Sequence, residues 1–307
     1  MASPSSMKAN GRSPPVIVTF TPTKAGREVS GGRSMKRSSA TRSPFEFQAT
    51  YAINARYSAT LTFPGFVGKT SSPAEHNGTR HSVSARGIGD MRLMGSAWLF
   101  NPAENQNGNI SLGAGLKLPT GKQDAKALFY KSTGPEMRPV DISIQPGDGG
   151  WGFMLELAGY RKFAGNLIGY ANGYYLINPR ETNRAYTPVP FYGQIFPLSV
   201  PDQYLGRAGL AVANWPWQGL SVSFGTRITG VPARDLIGGS EGFRRSGYTV
   251  YAEPGISWSL GRNAFTLFIP NRIYANRTNS IYDDRYNGKG RGAFARHLYV
   301  TSWSRTF

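Results

Sequence analysis

Three histidines, His76, His81 and His297, are the only imidazoles among 307 residues, and the chain contains no cysteine. A thiol nucleophile, a disulfide framework and a thiolate-bound metal are thereby excluded. A Ser-His hydrolase needs a base beside a nucleophile and a third group to orient it. None of the three histidines stands in such a grouping, and all three read as solvated surface residues. His76 and His81, five apart with Glu75 alongside, have ligand types for a weak metal site, but the polar segment around them favours solvation. Thr120-Gly121-Lys122 is not a phosphate loop, because Leu116 stands where the first glycine is required and Gln123 follows the lysine. Asp283, Asp284 and Asn287 offer oxygen ligands for calcium, yet a solvated turn is the simpler reading. The chain therefore does not read as an enzyme, and no cofactor is implied.

The polar residues that remain lie inside otherwise apolar segments. They are Glu46, Asp90, Arg92, Lys117, Glu156, Asn172, Arg207, Arg227 and Glu253, with Tyr170, Tyr174 and Tyr251 in equivalent positions. Their spacing names the element that holds them. Phe45, Phe47, Ala49, Tyr51 and Ile53 alternate with Glu46, Gln48, Thr50 and Ala52; Leu220, Val222, Phe224 and Ile228 alternate with Ser221, Ser223 and Arg227. Period two, repeated over lengths that cross an outer membrane, puts one face in oil and the other in water. Helical spacing fits none of these segments.

Such segments recur at Pro15–Pro22, Phe45–Ile53, Tyr57–Phe66, Ser84–Phe100, Asn109–Leu118, Trp151–Lys162, Asn166–Asn178, Gln203–Asn214, Gly219–Thr229, Tyr248–Leu260, Ala264–Tyr274 and Ala295–Phe307. The spacing predicts an all-β, antiparallel, up-and-down transmembrane β-barrel of about twelve strands. Connections alternate long and short, with short ones at Asn54–Arg56, Ala164–Gly165, Trp215–Gln218 and Gly261–Asn263. Short periplasmic turns and long external loops do this, and an even strand number puts both termini on the periplasmic side. By parity the polar residues named above line the lumen. With both signs present, they either set a transverse field that selects solutes or pair with one another and fill the interior.

Composition agrees. Gly at 38, Tyr at 16 and Phe at 17, against 17 Asp plus Glu, is turn-rich and aromatic-rich. No run of eighteen apolar residues exists, which excludes membrane-spanning helices. The net charge of +18 would suggest nucleic acid, but much of the excess precedes Phe45 and the rest is scattered over loops, so no nucleic-acid partner is expected. Residues 1–13 read as a disordered basic tail, 14–307 as one barrel domain, 23–44 as a polar external loop and 119–150 as a long loop capping the barrel mouth. Residues 1–15 lack the apolar core of a signal peptide, so export implies a misassigned start or a trimmed leader. External cations, Lys69, Lys131, Arg244, Arg245, Lys289 and Arg291, are expected to meet lipopolysaccharide phosphates, alongside the membrane lipid itself.

The last strand carries Tyr299, Thr301, Trp303, Arg305 and Phe307 on one face. A terminal Phe with aromatics at that spacing resembles the assembly signal of outer-membrane proteins, read by the barrel-insertion machinery. Four further segments resemble the family termed putative MetA-pathway of phenol degradation: Arg86 to Leu93, Leu112 to Gly121, Arg138 to Asp141 continuing through Gln145 to Gly152, and Tyr170 to Arg180. The resemblance runs from about Phe45 onward. It implies an outer-membrane barrel acting as a channel or transporter, with passive movement of small, aromatic or hydrophobic solutes and no catalytic residues. Two other readings remain at this point. One is a structural or surface-interaction barrel with a plugged lumen; the other is a soluble carbohydrate-binding β-sandwich.

Overall fold

Alternation becomes a closed ring of twelve antiparallel strands in the computed structural model, which describes residues 15–25, 28–30, 38–73, 76–189, 194–289 and 294–307. The strands are β1 (Val16–Ala25), β2 (Ser38–Ala52), β3 (Tyr57–Ser72), β4 (His81–Ile88 and Met91–Trp98), β5 (Gly108–Leu118) and β6 (Gly152–Lys162). They continue as β7 (Leu167–Ile177), β8 (Gln203–Ala213), β9 (Leu220–Val231), β10 (Gly247–Leu260), β11 (Asn263–Phe268 and Asn271–Asn276) and β12 (Leu298–Thr306). Each pairs with its neighbours in sequence. β1 closes the ring, because Phe20 lies opposite Phe47 of β2 on one side and Trp303 of β12 on the other. A closed ring has no edge, so every backbone group in the apolar layer is satisfied by a neighbouring strand. It also excludes a sandwich of two sheets.

Two strands are interrupted. In β4 the chain breaks at Gly89-Asp90, where the Gly89 N–H donates to Pro64 O at 2.8 Å. In β11 it breaks at Ile269-Pro270, since proline has no N–H for the ladder. β10 pairs with both parts of β11 in one register across this break, and the register shifts only farther on, between Val250 and Tyr251.

The outward faces are apolar and bare. Leu155, Leu157 and Phe224 expose 54%, 56% and 64% of their surface, which would be costly in water at about 25 cal/mol per Å² and costs nothing in hydrocarbon. On β3 the outward apolar run from Tyr57 to Val67 spans a height of about 25 Å once strand tilt is included, the thickness of an outer-membrane apolar band. Tyr51, Tyr57, Phe100, Trp215, Trp217 and Phe307 mark its turn side.

One expected boundary moves. Residues 23–44 are not wholly a loop: β1 continues to Ala25, a short strand Glu28–Ser30 follows, and β2 already begins at Ser38. Above the bilayer both faces of a strand are wetted, so Thr, Ser and Arg fill it and no apolar alternation betrays it. The tail 1–13 lies outside the described residues.

Candidate functional site

The register groups the residues opposite the apolar face into three levels. On the turn side, facing pairs across β2–β5 and β8–β12 are short: Thr50 with Thr60, Ser58 with Ser96, Ala211 with Ser223, Ala213 with Ser221, Ser257 with Thr266, Ala264 with Ser304. Two of these pairs share hydroxyl hydrogen bonds, Thr50 to Thr60 at 2.9 Å and Ser257 to Thr266 at 3.1 Å. Twelve strands enclose more space than such side chains fill. The result is a vestibule lined by hydroxyls and methyls.

At mid-height the wall becomes charged. Arg207 of β8 lies directly opposite Arg227 of β9, a repulsive cross-strand pair. Glu253 of β10, 1% exposed, resolves it by accepting from Arg207 Nε at 2.6 Å and from Arg227 Nε. The Arg207 guanidinium also lies 4.3 Å from the centre of the Phe268 ring. Across the lumen Arg92 of β4 pairs with Glu46 of β2. Glu156 faces Gly113 on one side and Tyr174 on the other, while Asn172 faces Arg207 and Ala158. Tyr170 lies flat over Gly209 and Gly225, where a Cβ on either would come within 2.7 and 2.8 Å of its hydroxyl. It fills space that two glycines vacate. Tyr251 is buried and donates to Ala295 O at 3.3 Å, tying β10 to the segment before β12.

The top level is made by loops. Asp90 and Lys117, expected on the lumen wall, are both engaged by the segment 119–151. Asp90 accepts from Gly121 N and Asp148 N, each at 2.9 Å, and Lys117 donates to both Asp148 oxygens at 2.5 Å. Between these anchors Gly121 and Gly147 touch backbone to backbone; a Cβ on Gly121 would sit 2.6 Å from Gly147 Cα. The Thr120-Gly121 and Pro146-Gly147-Asp148 stretches are thus the base of one closed loop.

Beyond the base, the strands Lys126–Lys131 and Gly134–Pro139 form a hairpin, and a 3-10 turn, Ile142–Ile144, enters the mouth. Val140 and Ile144 are fully buried among Val83, Ala85, Phe129 and Phe66. A second hairpin, Thr182–Val189 with Gln194–Ser199, packs Phe196 and Leu198 against Phe243 and Tyr282, and Ile142 packs against this second cluster. Ion pairs staple the cap. Arg244 holds Asp235 at 2.6 and 2.7 Å with both side chains fully buried, and Arg245 holds Asp141 at 2.6 and 2.8 Å. Asp202, completely buried, accepts from Asn178 N at 2.7 Å, Leu236 N at 2.9 Å and Tyr175 Oη at 3.1 Å.

Several expectations are corrected here. Arg244 and Arg245 are not external lipid contacts; cap carboxylates consume both. Arg291 and Glu75 lie outside the described residues. His76 is not solvated: 2% exposed, it stacks on Phe129 at 5.0 Å, and its Nδ1 accepts from Tyr130 N at 3.1 Å. Asp283 does not lie in a solvated turn: 2% exposed, it caps the short helix Ile281–Arg285, accepting from Ser280 N at 2.8 Å and Ser280 Oγ at 2.6 Å. Among the described residues no cluster of metal-ligand side chains forms. Sequence reading missed Asp148, Asp202, Asp235 and Asp141, because the groups they hold across the cap lie from nine to 104 residues away and no local pattern links them.

The cap contains two acid-sensitive contacts. Burial alone would raise the Asp141 pKa, but the Arg245 charge and the hydrogen bonds from Arg245 and Ser143 outweigh it and hold the carboxyl at about 2. Burial, then the charges of His81 and Lys131, lower the pKa of His76. Both folded forms bind fewer protons than the unfolded ones, so both contributions are present at neutral pH and lost in acid. The His76 contribution fades as pH drops below about 6.5, and the Asp141 contribution between about 4 and 2. Protease cleavage in 126–139 is expected to rise below about pH 6 in the native protein but not in His76→Phe. Cleavage unchanged between pH 7 and 5 would refute the first stage.

No protein-family model matches the chain, and no curated protein matches it. Solved structures do. The crystal structure of the COG4313 outer membrane channel from Pseudomonas putida F1 superposes with a TM-score of 0.59 at 12% identity over 97% of each chain. A FadL homologue from Pseudomonas aeruginosa gives 0.49 at 9% identity over 96% of this chain and 90% of that one. The toluene transporter TodX of Pseudomonas putida gives 0.48 at 10% identity over 94% and 89%. At these identities the first likeness speaks for the fold alone, and the other two are too distant to argue from. By fold, the chain is an outer-membrane-type β-barrel of twelve antiparallel strands.

Proposed function

We propose that this chain is an outer-membrane channel for passive movement of small aromatic or hydrophobic solutes, closed at its external mouth by a loop cap. One observation carries the reading. The lumen below the charged belt is lined by short side chains and left open by the strands, and its roof is built from loops. A roof held by a few ion pairs and two small apolar clusters can move without breaking the barrel. The solute class rests on the resemblance to the MetA-pathway family, and the fold likeness to a known outer-membrane channel supports a passage of some kind. On the same reading, the outward Tyr299, Trp303 and Phe307 of β12 serve as the assembly signal.

Burial of Val140 and Ile144 in the mouth favours a second reading, a plugged barrel that acts through its outer surface. Replacing 122–146 by a short Gly-Ser linker separates the two. The channel reading expects a folded barrel with ion conductance at least about tenfold above the native protein, and faster uptake of phenolic solutes into liposomes. If the folded, uncapped barrel passes no current, the lumen is solid and the channel reading fails.

A further inference from the structure

The outer rim of β1–β4 differs from the rest of the barrel. Its apolar band ends in an aromatic cluster: Phe20 lies 4.6 Å from Phe47 and 6.3 Å from Phe45, centre to centre. The register then sets successive outward rows across the four strands. Pro22, Phe45, Gly65 and Ile88 form the last apolar row. Phe45 covers Gly65, where a Cβ would be 2.2 Å from the ring. The next row holds Ser43, Val67 and Arg86, with Lys24 two residues beyond Pro22 on β1; above it come Thr41, Lys69 and Ser84, then Ser39, Ser71 and Ser82. At this edge Arg80 donates to Ser71 O and Ser71 Oγ, each at 3.2 Å.

Lys24, Lys69 and Arg86 are exposed, form no ion pair among the described residues, and have no acidic residue in any of these rows. On the far rim the corresponding outward positions carry tyrosines instead: Tyr175 with Tyr204 at 6.3 Å, and Tyr248 with Tyr274 at 5.9 Å. Three cations thus stand close together on this sector, at the headgroup level. In the cap, by contrast, Arg244 and Arg245 are held by Asp235 and Asp141.

We propose that this sector binds lipopolysaccharide through the phosphates of its lipid A. Lys24 and Arg86 stand three strand spacings apart, about 15 Å, with Lys69 between and above them. That spread suits a headgroup bearing two separated phosphates better than a glycerophospholipid bearing one. The serine and threonine rows supply hydroxyl donors to the sugars and phosphates, and the Phe20, Phe45, Phe47 and Ile88 surface receives the acyl chains. Side chains here lie along apolar wall while their charges reach the headgroups. The site needs the membrane-inserted barrel but not a conducting lumen, so loss of conductance leaves it standing.

The test is retention of lipid by the purified, detergent-solubilised full-length barrel, read by native mass spectrometry with bis-phosphorylated lipid A, monophosphoryl lipid A or phosphatidylglycerol. The native protein is expected to retain the bis-phosphorylated form about tenfold better than the other two. The triple variant Lys24→Ala, Lys69→Ala, Arg86→Ala should fall to the phosphatidylglycerol level, while Arg161→Ala, Lys162→Ala at the turn side should not. Equal retention by the triple variant overturns the site. So does equal retention of all three lipids by the native protein, which would reflect unspecific attraction of anions. If the triple variant does not fold, judged by its mobility in SDS with and without boiling, the comparison of the three lipids on the native protein decides alone.

Discussion

Replacing Glu253 by Leu should cost the barrel about 3–5 kcal/mol, because it leaves two facing guanidinium groups buried in the wall with no counter-charge. Arg207 and Arg227 are directly opposed in the ladder, and Glu253 is the carboxylate that bridges them. The urea midpoint for loss of the unboiled, fast-migrating band in SDS gels reads the effect. Glu253→Gln keeps the shape and some hydrogen bonding but loses the charge, so an intermediate loss is expected. Removing the arginines as well, as Arg207→Leu, Arg227→Leu, Glu253→Leu, should recover much of it, since apolar replacement of a whole buried ionic group is often neutral or favourable. A Glu253→Leu barrel as resistant to urea as the native one would show that water reaches this belt freely.

The second large effect concerns the cap. In Arg244→Met the Asp235 carboxylate stays fully buried and loses both bonds from its bidentate partner. A loss of about 3–5 kcal/mol is expected, confined to the external loops. Asp235 also accepts from Asp202 N at 2.9 Å, and Asp202 fastens Asn178, Leu236 and Tyr175, so the disturbance should reach both 178–202 and 232–246. Hydrogen exchange in those two segments should rise together while the strand amides stay protected. Arg244→Met with Asp235→Leu should restore most of the protection. If exchange rises only around residue 244, the cap is not one cooperative unit, and a gate that moves as a body loses its basis.

The strands were legible because a period of two is a local property. Parity alone groups Arg92, Lys117, Glu156, Arg207, Arg227 and Glu253 on the face opposite the apolar one, so that grouping follows from counting along one segment. What each inward residue meets is a different matter. Asp90 and Lys117 look like plain wall residues in the sequence; only folding brings Gly121 and Asp148 back onto them. Arg244 and Arg245 are adjacent and chemically identical, yet one is buried against Asp235, nine residues away, and the other reaches Asp141, 104 residues away. Nothing local separates the two. His76 reads as a surface residue because its neighbours in sequence are polar, whereas its neighbours in space are Phe129 and Tyr130 of the loop hairpin.

The sequence by itself therefore determined the barrel, its strand number and the alternation of turns and loops, because hydrophobic period and ladder pairing act between near neighbours. Tertiary structure alone decided which charges are paired, that the long loop is pinned at its base by Asp90 and Lys117, and that Lys24, Lys69 and Arg86 come together on one sector of the rim. Those outcomes depend on closure of the ring and on loops meeting across it, where residues far apart in the chain share one small, partly dry space.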